Sequence, residues 1–277
     1  MPGYAIQQQN EQLISLLSAR FRLLDNPAHA WGDVFSMYKS LPGLVSFWSC
    51  SSTGLAPTDV TGLFDDSGKG LNLGANSVPM IGINESGLLG YIAFDGTDDY
   101  FFRTDAAAAD ISGAESVVET AYRGMTIGAW VYFSGGLGPA QQIIGKDGLG
   151  ANRSYILYKS SSDLFTWLVT GNGTTVIEAA HTTPVTTGQW YFVACRFIAS
   201  TEIRIWVDSA DSVVNTISVP ASIFNSTAQL SIAARSVTPD IFLNGRLSLL
   251  WMTKTALPEA SIRTLYNFTA PLFGHTL

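Results

Sequence analysis

The chain has 277 residues, of which 47% are aliphatic or aromatic and 13% charged, with a net charge of −7. That supplies a core for one large β-sandwich plus an appendage, with a charged fraction well below the ~25% usual in soluble domains. The balance excludes nucleic-acid binding, which needs clustered Lys and Arg to neutralise phosphates, because the 15 basic residues are scattered.

No run of ~18 apolar residues marks a membrane-spanning helix. The N-terminal stretch MPGYAIQQQNEQ has neither the basic nor the apolar region of a signal peptide. No export signal and no membrane insertion are expected. A surface so poor in charge is covered by Ser, Thr, Asn, Gln and Gly, which suits glycan contact or packing against neighbouring copies.

In chain order, Ile6, Leu13, Ile14, Leu16, Leu17, Phe21 and Leu24 recur at helical spacing and predict a helix that ends at Pro27. Trp31, Val34, Phe35 and Tyr38 predict a second short helix over Ala28–Lys39, and Pro42-Gly43 marks a boundary. Residues 1–43 are therefore expected to be a helical appendage and 44–277 the main domain. An apolar stripe of this kind must be buried. Leu13, Leu17, Phe21, Leu24, Trp31 and Phe35 are expected to dock onto a partner or a sister copy.

From Leu44 the period changes to that of strands. They are predicted at Leu44–Cys50, Tyr91–Phe94 and Tyr100–Arg103, with Gly-rich loops filling the gap up to Gly90. Further strands are predicted at Met125–Phe133, Gln141–Gly145, Tyr155–Lys159, Leu164–Thr170, Val176–Ala179, Trp190–Phe197, Ile203–Val207, Thr216–Val219, Leu230–Ala234 and Leu247–Thr253. Short strands between turn signals every ~8–12 residues argue for a sandwich. A short inserted helix is expected at Glu115–Tyr122, and a terminal one over Pro258–Phe268, where Pro opens the first turn and Glu259 sits at the positive end of the dipole.

Several segments carry a family resemblance: FDGTDDYF at Phe94–Phe101, MTIGAWVYF at Met125–Phe133, QQIIGKDG at Gln141–Gly148, TTGQWYFVACRF at Thr186–Phe197, EIRIWVDS at Glu202–Ser209 and NGRLSLLWMTKTALPEASIRTLYN at Asn244–Asn267. In this order and spacing they resemble the laminin-G-like branch of the concanavalin A-like lectin/glucanase superfamily, over roughly Leu44 to Asn267. The resemblance implies an all-β, two-sheet antiparallel jelly-roll sandwich, here with a short N-terminal helical appendage and a short C-terminal helix. It implies buried core positions for Trp130, Trp190 and Trp206. It does not fix a function, since such folds host many.

The resemblance also brings glucanases into question. Retaining glycosidases need two carboxylates about 5 Å apart, which laminarinase-type relatives set on one strand as Glu-x-Asp-x-x-Glu. No such pattern occurs; Glu178 and Glu202 are isolated. His29, His181 and His275 form no triad pattern, and His181 is expected in a solvated loop. Cys50 and Cys195 lie in apolar runs as small hydrophobes, with a bridge left open.

Laminin-G-like domains often hold calcium at a loop edge, and hard oxygen ligands suit that ion. The candidate ligands are Asp95, Asp98 and Asp99, with Asp65-Asp66 and Asp147 in other loops. The same aspartates also suit a hydrogen-bonded turn, and no cofactor is required. The family's acidic pair after the last-strand Gly is replaced by Arg246 and Leu247. Tyr155, Tyr158 and Trp167 are the candidate glycan contacts, since sugar rings stack on aromatic faces.

The sequence is thus expected to encode a non-catalytic virion surface protein, of phage capsid-decoration or tail-appendage type. Its expected partners are other virion proteins and sister copies, a trimer being favoured, together with a host glycan. The alternative is a stand-alone, extracellular carbohydrate-binding adhesin using calcium; a glycoside hydrolase is the third reading.

Overall fold

The computed structural model describes residues 27–50, 62–77, 79–83, 90–105, 124–208, 211–235 and 239–276. The elements are α1 Pro27–Lys39, β1 Leu44–Trp48, β2 Gly62–Leu63, β3 Leu73–Asn76, β4 Met80–Ile83, β5 Gly90–Asp95 and β6 Tyr100–Arg103. They continue with β7 Gly124–Phe133, β8 Gln141–Asp147, β9 Arg153–Lys159, β10 Phe165–Thr170, β11 Val176–Ala180, β12 Trp190–Ile198 and β13 Glu202–Val207. The chain closes with β14 Asp211–Asn215, β15 Leu230–Ile232, β16 Asn244–Thr253, α2 Glu259–Thr269 and a 3-10 turn Ala270–Phe273.

The strands form two antiparallel sheets. Sheet A runs β14-β13-β12-β7-β16-β5-β4, with β1 also paired to β16. Sheet B runs β11-β10-β9-β8-β15-β6-β3-β2. This is the expected jelly-roll sandwich.

Between the sheets lies a core that includes Phe94, Phe101, Val131, Phe133, Leu157, Trp167, Val193 and Leu250. A second core lies on the other face of sheet A. There Trp130, Trp190, Phe192, Trp206 and Trp251 are covered by α1, α2 and the 3-10 turn. Strands buried on both faces lose alternation and become continuous apolar runs, as β7 and β12 do. Trp130, Trp190 and Trp206 are buried as the resemblance implied, but under the helices and not between the sheets.

Helix α1 seats on its own sandwich. Val34 and Tyr38 are fully buried, and Tyr38 stacks on Phe47 of β1 with centroids 4.7 Å apart. Phe35, expected to dock onto a partner, meets Phe47 edge-on at 5.4 Å. Leu13, Leu17, Phe21 and Leu24, the predicted helix around them, the side chain of Trp31 and the helix expected at Glu115–Tyr122 lie outside the described residues.

Two strand expectations are corrected. The stretch before Gly90, expected as loops, carries β2, β3 and β4 at the edges of the two sheets. The strand expected at Thr216–Val219 lies instead at Asp211–Asn215. Asn215 ends it: Oδ1 accepts the Ile217 N–H at 2.8 Å while Nδ2 donates to the Glu178 carbonyl of sheet B, also at 2.8 Å. This turns the chain away and leaves Ile217 75% exposed. Cys50 and Cys195 are free, buried thiols whose pKa burial raises.

Because α1 is part of the second core, Tyr38→Ala is expected to cost about 3–5 kcal/mol in chemical denaturation, the usual range for losing a buried aromatic ring. A cost below about 1 kcal/mol, the scale of a surface substitution, means that α1 detaches without the sandwich.

Candidate ligand-binding surface

The turn between β5 and β6 gathers three predicted residues. Oxygens of Asp95, Asp98 and Asp99 lie within 4.8 Å of one another. Gly96 has φ +81°, and a Cβ there would sit 2.7 Å from the Asn244 side chain, so only glycine fits the bend. Asp95 Oδ1 accepts the N–H groups of Thr97 at 2.7 Å and Asp98 at 3.4 Å. Asp99 Oδ2 accepts the N–H of Asp95 at 3.2 Å, and Asn76 Nδ2 donates to the Asp98 carbonyl at 2.9 Å. Burial raises the pKa of Asp99, and the charges of Asp95 and Asp98 add to the rise.

A carboxylate has two oxygens, so these hydrogen bonds leave each aspartate oxygen capacity for a hard cation. The donor set therefore fits calcium in type, and such an ion would relieve the repulsion felt by Asp99. The other acidic loops are committed elsewhere. Asp65 accepts N–H groups from Phe47 and Leu71, and Asp66 holds Ser49. Asp147 lies between Arg153 and Arg235, at 2.9 and 3.3 Å.

The expected glycan contacts are scattered by burial. Tyr155 is 1% and Trp167 0% exposed, packed 6.0 Å apart inside the sandwich, so neither offers a ring face to a sugar. Both lie on the inner side of sheet B, in register with other core positions of β8–β10. Tyr158 points the other way and is half-buried. Its hydroxyl meets Glu178 Oε1 at 3.2 Å, and burial together with the Glu178 charge pushes its pKa up to about 12. His181, expected in a solvated loop, is only 4% exposed, and its Nδ1 accepts the Thr183 N–H at 3.3 Å.

Sequence reasoning missed a second aromatic group. The register of sheet A aligns Met80, Ala93, Arg246, Tyr132 and Trp190 across β4, β5, β16, β7 and β12. Tyr91 lies one outward position from Ala93 along β5. The Arg246 guanidinium carbon stands 4.6 Å from the Tyr91 ring centre and 4.5 Å from that of Tyr132. Tyr91, Ala93, Tyr132 and Arg246 are half-buried and Met80 is 51% exposed, while Trp190 is covered by Phe273 of the 3-10 turn. The only sequence signal was Arg246 where relatives are acidic.

A laminin G family profile, described as the concanavalin A-like lectin/glucanases superfamily, matches residues 92–263. The chain belongs to that superfamily. No curated protein sequence matches it. Among solved structures, it is similar to the binding domain of botulinum neurotoxin DC in complex with rat synaptotagmin II, at 13% identity and TM-score 0.59, covering 81% of this chain and 51% of that one. The same toxin domain in complex with SialylT gives 13% identity and TM-score 0.58, again with 81% and 51% covered. The binding domain of Paraclostridial Mosquitocidal Protein 1 gives 12% identity and TM-score 0.61, with 85% and 56% covered. At such identities the likeness is one of fold, and this superfamily member spans about half the length of those structures.

The raised pKa of Asp99 has a pH signature. The folded state holds its proton more tightly than the unfolded chain, so stability is lost as pH rises from the ordinary aspartate value, about 3.9, through the higher folded value. Asp99→Asn is expected to remove that loss, giving a flatter stability profile in this window by chemical denaturation. Millimolar calcium should raise the wild-type melting temperature and not that of Asp99→Asn; equal melting in both identifies a hydrogen-bonded turn alone.

Proposed function

We propose that this chain is a non-catalytic recognition module that contacts a glycan or protein receptor through the exposed part of sheet A. The observation carrying this is the half-exposed row of Tyr91, Arg246 and Tyr132, on the same sheet end as the acidic turn. Membership of a lectin-containing superfamily and a fold shared with toxin binding domains support it.

The pairing of the described glutamates supports a role without catalysis. Glu202 is clamped by Arg196 and by Arg204 at 3.1 Å, and its pKa is lowered by those two guanidiniums against the opposing effect of burial. Glu178 serves Tyr158, and Glu259 pairs with Arg263 at 2.6 Å. A glycosidase needs one carboxyl to exchange protons and another to attack or activate water, which such fixed pairs oppose.

The finer reading places the module on a virion surface, as capsid decoration or tail appendage, beside sister copies and other virion proteins. It is supported by the charge-poor composition and by apolar side chains at the sheet edges. Among the described residues, Ile217 and Val214 are exposed by the β14 edge and Phe64 by the β2 edge, and apolar side chains at a sheet edge favour contact with another chain. The acidic turn supports the other deployment, a calcium-using adhesin acting alone.

A glycan array with and without EDTA, combined with light scattering, tests these readings. Glycan binding is the expected result, with a closed oligomer such as a trimer for the virion deployment and a monomer for the adhesin. Release of reducing sugar that depends on a carboxylate overturns the non-catalytic reading.

A further inference from the structure

Tyr155 and Trp167 offer no ring to the surface, yet each carries a polar end into the core between the sheets. The Tyr155 hydroxyl and the Trp167 Nε1–H are shielded from solvent, and neither has a hydrogen-bond partner among the described residues. Buried phenols and indoles usually find one, as Trp48 does at the Leu71 carbonyl, 3.1 Å away. The rings of Tyr38, Trp206 and Trp251 also carry unpartnered polar atoms, but they lie under the helices in the second core. A buried donor left unmade costs more than a made bond returns, so two neighbouring ones in a single core call for a shared acceptor.

The register of sheet B brings the two together. Trp167 on β10 pairs with Leu157 and Tyr155 on β9 pairs with Val169, so both side chains point to the inner face, two positions apart. Their ring centres are 6.0 Å apart, with the planes inclined at 45°. Ala179 of β11 stands beside Trp167. Sheet A contributes Cys195, close enough for a charge on its sulfur to add to the effect of burial in raising the Tyr155 pKa. Alanine and cysteine are small beside the Leu, Val, Phe and Trp of this core. The Cys195 thiol donates to the Ile127 carbonyl at 3.6 Å, which leaves its sulfur as a weak acceptor.

We propose that Tyr155 and Trp167 together bind one internal water molecule between the two sheets. The proposal goes beyond the recognition role and does not depend on it. An indole N–H only donates, whereas a phenol hydroxyl donates or accepts, so a water oxygen serves both side chains at once. Its own hydrogens are left for the Tyr155 oxygen or the Cys195 sulfur, and two to four such partners are what a buried water needs. Close packing of the interior excludes anything larger. A weak contact of the Trp167 N–H with the Tyr155 ring is the competing arrangement, and it leaves the hydroxyl unserved. Held this way, the water ties β9 and β10 of sheet B to Cys195 on β12 of sheet A by directional bonds, which apolar packing lacks.

The test uses the full chain and its Tyr155→Phe variant, which keeps the ring and removes the hydroxyl alone. In wild-type protein, NMR should show a cross-peak from water to the Trp167 indole proton with the sign of a long-lived complex, and the variant should lose it. Oxygen-17 relaxation, which does not see hydroxyl protons, should count one long-lived water fewer in the variant. Chemical denaturation should show the folding equilibrium constant of Tyr155→Phe reduced about fivefold, the worth of one net hydrogen bond. A hydroxyl buried dry gives the opposite sign, because its removal relieves an unmet group. A variant as stable as the wild type or more so, an indole proton without the water cross-peak, or an unchanged count of long-lived waters overturns the proposal.

Discussion

Sheet A carries large apolar side chains on both faces, and sheet B can cover only one of them. The rest of the architecture answers that constraint. Trp130 is the pivot: it stacks on Phe273 at 4.1 Å and on Tyr266 at 6.0 Å, meets Phe192 edge-on, and donates its Nε1–H to Thr269 at 2.9 Å. A ring system of this size buries about 150–250 Å², worth about 4–6 kcal/mol at ~25 cal/mol per Å². Partly exposed ion pairs such as Arg263 with Glu259 contribute about 0–1 kcal/mol each. Aromatic burial therefore holds the helices to the sheet.

The polar fittings around this aromatic layer set its position. Arg196 donates to the Leu257 carbonyl at 2.8 Å while gripping Glu202, and its guanidinium lies 5.0 Å from the Trp206 ring. Thr126 Oγ1 accepts the Leu257 N–H and donates to the Thr255 carbonyl. These contacts fix the connection from β16 into α2, and α2 then brings Phe273 over Trp130 and beside Trp190. The end of the chain thereby borders the surface proposed for ligand.

Much of the fold was legible because burial on two faces writes itself into sequence. The runs at Met125–Phe133 and Trp190–Phe197 are continuous and apolar, and both became strands within a residue or so of their expected ends. Their lack of alternation also encoded the third layer, which the pattern alone does not assign to a helix of the same chain. The short strands β2, β3 and β4 were hidden because two to four residues at a sheet edge carry too little periodicity. Asn215 overrode the apolar alternation that followed it through side-chain hydrogen bonds. For the surface, FDGTDD announced the convergence of Asp95, Asp98 and Asp99 because a tight turn leaves them nowhere else to go. Beyond the departure at Arg246, the row of Tyr91, Arg246 and Tyr132 left no sequence signal, since it is assembled by register between strands distant in sequence. The period-two rule shows which residues share a face, but not whether that face is the inner one, which is why the sequence alone leaves Tyr155 and Trp167 as candidate glycan contacts while the structure buries both.

The pairing of β1 with β16 has a mechanical consequence. The chain enters β1 at Leu44 and leaves β16 at Thr253, and these two residues are partners at one end of the ladder. The Lys254 N–H closes that end on the Gly43 carbonyl at 2.8 Å. Tension between α1 and α2 would therefore act like the slider of a zip, breaking hydrogen bonds one after another and not all at once. Pulled this way, the module would yield at β1 and β16 while sheet B stayed unloaded.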